Sequence, residues 1–506
     1  MRKGLRNVFP HSKEEFKALA SDANLIPVYS EYSAALETPL SVYLKLKNGA
    51  YSFLLESVEN GQRQGRYSFI GFEPSIIFKA SDGKVSITEN GRETVCSSTD
   101  PLNELEEIFS RFITVKVPSL PAFCGGAVGY LGYDMIRYWE KIPKAADKQT
   151  DYPDCFFIFA DAVIVFDHVK QTMKIVINTK VGDDPDKDYA QAVKKIQEIN
   201  ARLNEPLVRI DAAEYEMQNL KQRDDYEYSC TPNEFCEMVE KAKEYILDGD
   251  IFQVVLSQKI KFKLNSEPLD IYNSLRFLNP SPYMFYLNFE DISLIGSSPE
   301  IMAKMEDGVV EVKPIAGTRP RGKTVREDVL LADELLADEK ERAEHLMLVD
   351  LGRNDLGRIS EYGSVRMEEF MNIENYSHVM HIVSKVIGKC RADQNCFDVL
   401  RATFPAGTVS GAPKIRAMEI IDELESEGRG PYAGAVGYIS YTGNMDTCIT
   451  IRTLIAKGSD GFIQAGAGIV ADSNPMKEFH ETYSKAQALL SAVNLATNGG
   501  LQVVGD

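Results

Sequence analysis

At 506 residues, 44% of them apolar and 26% charged, the chain can form one very large domain or two to four ordinary ones, with the composition of a soluble globular protein. A formal charge of −19 disfavours nucleic acid as the main partner, although an acidic chain can still hold a small anion in a locally positive pocket. No apolar run approaches the length that crosses a bilayer, and the start, MRKGLRNVFPHSKEEF, lacks the apolar segment of a secretory signal, so a cytoplasmic location without a membrane partner is expected.

The eight cysteines contain no CxxC pair, which suits reduced thiols, and Cys124 reads as a small buried residue. Tyr51 to Gly71, YSFLLESVENGQRQGRYSFIG, alternates at both ends like two strands around a Glu59-Asn60-Gly61 turn. Ser75 to Ala80 and Lys84 to Thr88, parted by Asp82-Gly83, continue a β-rich N-terminal lobe. GAVGY at 126–130 recurs letter for letter at 434–438, which points to a structural duplication. From Val181 to Tyr228 the texture becomes polar and helical, opening on VGDDPDKD as a loop. The charged stretch 219–229 is the best boundary, dividing an N-terminal lobe, 1–222, from a catalytic region, 223–506.

A helix over Thr231 to Asp248 has a capping signature, with Pro232 after Thr231 and Glu234 three residues on. Ile251 to Ser257 reads as a buried strand, and Asn279-Pro280-Ser281-Pro282-Tyr283-Met284 as a rigid turn. Ser297-Ser298-Pro299-Glu300 places a carboxylate at a strand end, and Val312 to Gly322 reads as a strand running into a basic loop suited to an anion. In Asp338 to Arg358, Glu341, Glu344, His345 and Leu348 share one helical face, and Glu478, Glu481 and Lys485 repeat the device between Met476 and Leu490. Two such helices together would offer hard oxygen ligands, and magnesium needs only one or two carboxylates besides water and an anionic substrate.

His378 and His381 follow, then FPAGTVSGAPKIRAM, a glycine-rich turn into a helix without Walker A spacing. The chain closes in a β-meander, Tyr432 to Tyr441, Asp446 to Ala456 and Gly461 to Val470. In its middle strand Cys448, Thr450, Arg452 and Leu454 should point one way, beside a Gln464-Ala465-Gly466-Ala467-Gly468 strand with bare amides. From Ala496 onward the chain reads as frayed.

Six stretches, PIAGTRPRG, AEHLMLVDLGRNDLGRIS, GTVSGAPK, DTCITIRT, QAGAGIVADS and EFHETYSKA, resemble in their order the motifs of the anthranilate synthase component I family of chorismate-utilising enzymes. The likeness is strong from about Thr231 to Leu490 and looser before it. It implies an α/β enzyme of the α+β type, two-lobed, with packed, mainly antiparallel sheets flanked by helices. It also implies a cleft for chorismate and magnesium (Mg2+). By position, Glu344 and Glu481 would be the metal ligands with Glu341 and Glu478 nearby, and Glu300 would be the general acid. His381, oriented near Thr408, would assist deprotonation or pyruvate loss. Tyr432, Arg452 and the amides of Gly466, Ala467 and Gly468 would hold the enolpyruvyl carboxylate, while Gly317, Thr318 and Lys485 line the cleft.

Two positions separate relatives. Aminodeoxychorismate synthases usually carry a lysine where Ala316 stands, and isochorismate and salicylate synthases carry one where Gln253 stands. Neither a lysine nucleophile nor a lysine base is present, so ammonia is the expected attacker and anthranilate with pyruvate the expected products. No amidotransferase segment is visible in the chain, so a separate glutaminase subunit, and hence a hetero-oligomer, is expected. In the family, motifs like Leu-Leu-Glu-Ser and Asn-Pro-Ser-Pro-Tyr-Met form a site where tryptophan inhibits. Here that implies Glu56, Ser57, Pro282, Tyr283, Met284 and Tyr438. Aminodeoxychorismate synthase without the lysine, and a non-catalytic chorismate or tryptophan sensor, are the alternatives.

Overall fold

Alternation along the strands sorts side chains between two cores: in Tyr51–Glu56, Leu54 meets helices while its neighbour Phe53 meets a second sheet. The computed structural model describes residues 8–57, 65–143, 148, 150–206, 225–376 and 379–498. Within these, a 13-stranded and a 12-stranded sheet, both antiparallel, face each other. Phe53, Phe123, Phe156, Phe285 and Val436 fill the space between them, each large side chain contributing roughly 1.5–3 kcal/mol by leaving water. Helices Pro39–Leu46, Pro185–Leu203, Pro268–Leu278 and Pro475–Thr497 cover the larger sheet. Pro101–Ser110, Glu339–Gly357 and Cys396–Thr403 cover the smaller. The expected α/β architecture of antiparallel sheets flanked by helices is therefore the one observed.

Each sheet reads the same outward from its middle. In the larger, Tyr51–Glu56 pairs with Tyr283–Phe289 at the centre. Tyr67–Phe72, Ala162–Asp167, Thr172–Lys180 and Leu25–Ser33 follow on one side; Ile292–Ser298, Thr453–Lys457, Asp460–Ile469 and Gln253–Lys263 follow on the other. In the smaller sheet the two GAVGY copies pair with each other, Gly129 directly opposite Gly437. A Cβ on either glycine would lie about 2 Å from a carbonyl of the next strand, at Phe156 and Asp446 respectively, so both positions require glycine. The repeat is thus the seam of a duplication.

Local signals hold where they are short-range. Thr231 and Glu234 form the expected reciprocal cap, with N···O distances of 2.7 and 3.3 Å, at the head of helix Pro232–Leu247. Strands Tyr51–Glu56 and Tyr67–Phe72 pair as expected, as do Ile76–Ser81 and Lys84–Glu89. The turn at 59–61, His378, and 219–224 of the proposed boundary lie outside the described residues.

Four expectations change. The VGDDPDKD loop is shorter, because Asp184 caps helix Pro185–Leu203 by accepting from the Lys187 amide at 3.2 Å and proline suits the first turn. The basic segment 315–321 is largely a strand, Ile315–Pro320. Its arginines are occupied: Arg319 by Glu334, Asp338 and Glu341, Arg321 by Asp328, so they are not offered to an anion. The strand expected over 446–456 breaks into Met445–Ile449 in one sheet and Thr453–Lys457 in the other. Arg452, at φ +51°, makes the bend, so it does not share a face with Cys448. Finally, Ala496 is buried within helix Pro475–Thr497, not frayed.

Candidate active site

Asp338 fixes the start of helix Glu339–Gly357 by accepting from the Lys340 and Glu341 amides at 3.0 and 3.2 Å. His345 then anchors the helix to strand Val379–Lys389 through Ser384 at 2.6 Å. Burial pushes that imidazole down to about 4, so it is a neutral structural group. One turn of this helix presents Glu341 and Glu344. Glu344 accepts from Gln253 Nε2 at 3.1 Å. Burial raises the Glu344 pKa, neighbouring Glu341 and Glu481 raise it further, and Gln253 and Lys485 oppose.

Helix Pro475–Thr497 supplies the facing groups. Glu481 pairs with Lys485 at 2.7 Å, and Glu478 is raised by burial and then by Glu481. Lys485 Nζ also donates to Gly466 O at 3.0 Å, and the Lys485 carbonyl accepts from Arg452 Nη1 at 2.9 Å. Among the described residues no carboxylate lies within ion-pair distance of Arg452, and burial lowers its pKa; this is a cation prepared for an incoming anion.

Strand Asp460–Ile469 runs past its neighbour, whose last pair is Leu454 with Ile463, leaving an open edge from 464 onward. On its other edge the amides of Val255 and Ser257 turn away, to Ser410 O and Glu425. The alternation of the ladder therefore directs Ala467 toward Leu256 and leaves Gly466 and Gly468 facing the open edge. Of the three amides expected at the site, Ala467's is committed to the sheet. A Cβ on Gly466 would stand 2.9 Å from the Tyr432 hydroxyl, and one on Gly468 2.4 Å from Gln253 Nε2. Both glycines keep the cleft open.

Glu300 follows strand Ile292–Ser298 and is 7% exposed; burial pushes its pKa up to about 8, against the pull of the Thr408 hydroxyl, the Ile315 amide and Lys485. At neutral pH it holds a proton. His381 lies across the ladder from Thr318, and its Nδ1 is 2.8 Å from Gly317 O and 3.1 Å from Thr318 Oγ1. Since a carbonyl only accepts, Nδ1 carries the hydrogen and the neutral ring offers a bare Nε2. Burial lowers its pKa, with Gly317 opposing, and Arg452 and Lys485 lower it further. Gly317 and Thr318, rather than Thr408, hold this imidazole at Nδ1; Thr408 lies near Glu300 in a separate small cavity.

All six residues expected at a regulatory site, Glu56, Ser57, Pro282, Tyr283, Met284 and Tyr438, line one cavity of about 370 Å³ between the sheets. Glu56 is held from behind by Tyr272 at 2.6 Å and Arg276 at 3.1 Å. Tyr438 stacks on Phe123 at 4.4 Å.

The sequence model of the chorismate binding enzyme family matches residues 50–491. The chain belongs to this family. It is 47% identical over 493 residues to anthranilate synthase component 1 of Acetivibrio thermocellus, across 97% of this chain and 99% of that one. The solved anthranilate synthase component I of Streptococcus pneumoniae superposes with a TM-score of 0.72 at 37% identity, covering 91% of this chain and 99% of that one. The menaquinone-specific isochorismate synthase MenF of Escherichia coli shares the fold, with a TM-score of 0.66 at 17% identity over 95% and 98% of the chains.

Sequence reasoning missed three residues that stand around the cavity and the groups just described. Asp446 lies in the cavity, pushed up to about 6 by burial and accepting from the Tyr283 hydroxyl at 3.0 Å. Tyr376 touches His381 edge-on, with ring centroids 5.3 Å apart. Arg429, fully buried against Glu425 at 2.6 Å, stands behind Tyr432. Tyr283 is distant in sequence from Asp446 and leaves no local signal there, whereas the partners of Tyr376 and Arg429 lie within five residues and carry no motif that marks them.

Proposed function

We propose that this chain is the synthase component of an anthranilate synthase, converting chorismate and ammonia to anthranilate and pyruvate. The observation that carries the reading is the hydrogen bond from Gln253 to Glu344 beside Gly468, together with Ala316 on the strand that carries Gly317 and Thr318. An amide and a methyl group stand where lysine would direct water or form a covalent link, which leaves an external amine as nucleophile.

Among the described residues no group of three or more histidine, cysteine or acidic side chains forms a metal cage. The carboxylates Glu344, Glu341, Glu481 and Glu478, close enough that Glu341 and Glu481 help to raise Glu344 and Glu481 helps to raise Glu478, nevertheless fit Mg2+, which takes few protein ligands and completes its shell with water and substrate. Glu344 and Glu481 would hold it. When bound it screens the ring carboxylate and withdraws charge from the ring.

Arg452, the Tyr432 hydroxyl and the Gly466 and Gly468 amides hold the enolpyruvyl carboxylate. Ammonia bonds to the ring carbon beside the ring carboxylate, the double bonds shift, and the ring hydroxyl leaves as water with the proton of Glu300. The added nitrogen gives up a proton, which restores Glu300. His381 Nε2 then accepts the proton of the amine-bearing ring carbon as the bond from the adjacent ring carbon to the enolpyruvyl oxygen breaks. That proton, returned to the methylene carbon of the released enol, gives pyruvate beside an aromatic ring. The catalytic groups belong to 223–506, and the N-terminal lobe, 1–222, contributes Glu56 and Ser57 to a cavity suited to inhibition by tryptophan. A separate glutaminase subunit would supply ammonia in the cell.

The test is product identity. Chorismate, an ammonium salt and Mg2+ mixed with the purified chain should yield fluorescent anthranilate and an equal amount of pyruvate. Isochorismate or aminodeoxychorismate as the main product would overturn the assignment.

A further inference from the structure

The regulatory cavity and the catalytic cleft share walls. Pro299 and Ile301 line the cavity on either side of Glu300, and Ile315 lines it just ahead of Gly317 and Thr318. Lys313 and Tyr376 line it as well. Tyr376 follows strand Arg366–Asn375, which pairs with Val379–Lys389, its amide donating to Val379 O at 2.8 Å and its carbonyl accepting from Arg321 Nη1 at 2.9 Å. Its hydroxyl donates to Glu374 at 3.2 Å, and Glu374 pairs with Lys313 at 2.7 Å. Its ring meets His381 edge-on, interplanar angle 71°, while Gly317 and Thr318 hold Nδ1. One aromatic ring therefore touches both the cavity and the catalytic imidazole.

We propose that Tyr376 is a positioning residue that holds the His381 ring and passes occupancy of the aromatic cavity to it. The proposal rests on the reading of that cavity as a tryptophan site. An indole seated between Tyr438 and Met284 competes for the space of Tyr376 and Lys313, and a rotation of the Tyr376 ring withdraws the edge that fixes the imidazole. The displacement needs no large domain motion, because the ring that lines the cavity is itself in contact with the imidazole. Tyr376 also shields His381 from water. The charges around that imidazole are Arg452 and Lys485, which favour its neutral form, and Glu374, which opposes them; Glu341 faces Gly317 from the neighbouring helix.

Tyr376→Leu removes the edge contact. L-tryptophan binding, measured by calorimetry on the full chain, should stay within a few-fold of wild type, while the concentration that half-inhibits ammonia-dependent anthranilate formation should rise about tenfold or more, within the usual range of site-to-site coupling. The acid limb of the rate profile should move to higher pH, since a wetter imidazole is protonated more easily. Tyr376→Phe keeps the ring and must retain both inhibition and the pH limb. Ser57→Phe, which fills the cavity, should lose binding and inhibition together. Tyr376→Leu inhibited at the wild-type concentration, or Tyr376→Phe losing either property, overturns the relay alone. Failure of the wild-type chain to bind L-tryptophan overturns the cavity reading and the relay with it.

Discussion

In both halves a helix, a long strand, a second helix and a hairpin lead to a strand that crosses from the smaller sheet to the larger. The crossing holds Asp161 in the first half and Arg452 in the second. Asp161 is satisfied at once, accepting from Ser75 Oγ at 2.8 Å. Arg452 reaches a backbone carbonyl and no carboxylate among the described residues. The second half also inserts 315–375 before the strand that continues its smaller sheet. That excursion brings Glu344 opposite Glu481 and the partners of His381 into place. One scaffold thus serves as support when its polar groups close on themselves and as a site when they are left facing space.

The largest effect should come from the insertion. Glu344→Gln keeps the size and the hydrogen-bonding capacity of the side chain but removes a charge, and kcat/KM for chorismate should fall about 10³-fold with the dependence on Mg2+ flattened. Mg2+-dependent turnover at the wild-type level would show that the helix of the insertion is only structural. Glu300 comes next. In the proposed mechanism it must carry its proton to release the ring hydroxyl, so activity should decline as pH rises through about 8. Glu300→Gln should lower kcat about 10²-fold or more and abolish that limb. A limb that persists in Glu300→Gln belongs to another group.

Much of this was legible where one residue decides its own neighbourhood. The Thr231 cap, the paired hairpins and the GAVGY seam follow from local spacing. The acidic faces of the two helices follow from periodicity. The break at Arg452 was not legible, because residues 447–450 and 453–456 are buried on both faces and give no change of alternation where the strand leaves its sheet. The commitment of Arg319 to three carboxylates, and of Ala467's amide to the ladder, depends on neighbours brought in from elsewhere in the chain. The contact of Tyr376 with His381 joins the end of one strand to the face of its neighbour, and no motif announces it.

The two crossings allow the finest test, because one substitution at each asks whether the same place in the fold matters for chemistry. Arg452→Gln should raise KM for chorismate about 50-fold, the usual cost of removing a buried charged partner, with a smaller change in kcat. Asp161→Asn should leave both constants within about twofold, since its hydrogen bonds among the described residues go to Ser75 and Asn178, neither of which belongs to the cleft. Its stability should also respond in a defined direction. Burial raises the Asp161 pKa, so the folded chain binds that proton more tightly than the unfolded one. Stability is then lost as pH rises from the unfolded value through the folded one, so the penalty falls on the chain at the upper end of that window. Asparagine removes the penalty while keeping an acceptor for Ser75, so thermal melting at pH 7 should occur at or above the wild-type temperature. A Asp161→Asn chain that melts lower, or that binds chorismate as poorly as Arg452→Gln, would mean that the first half is not a passive support.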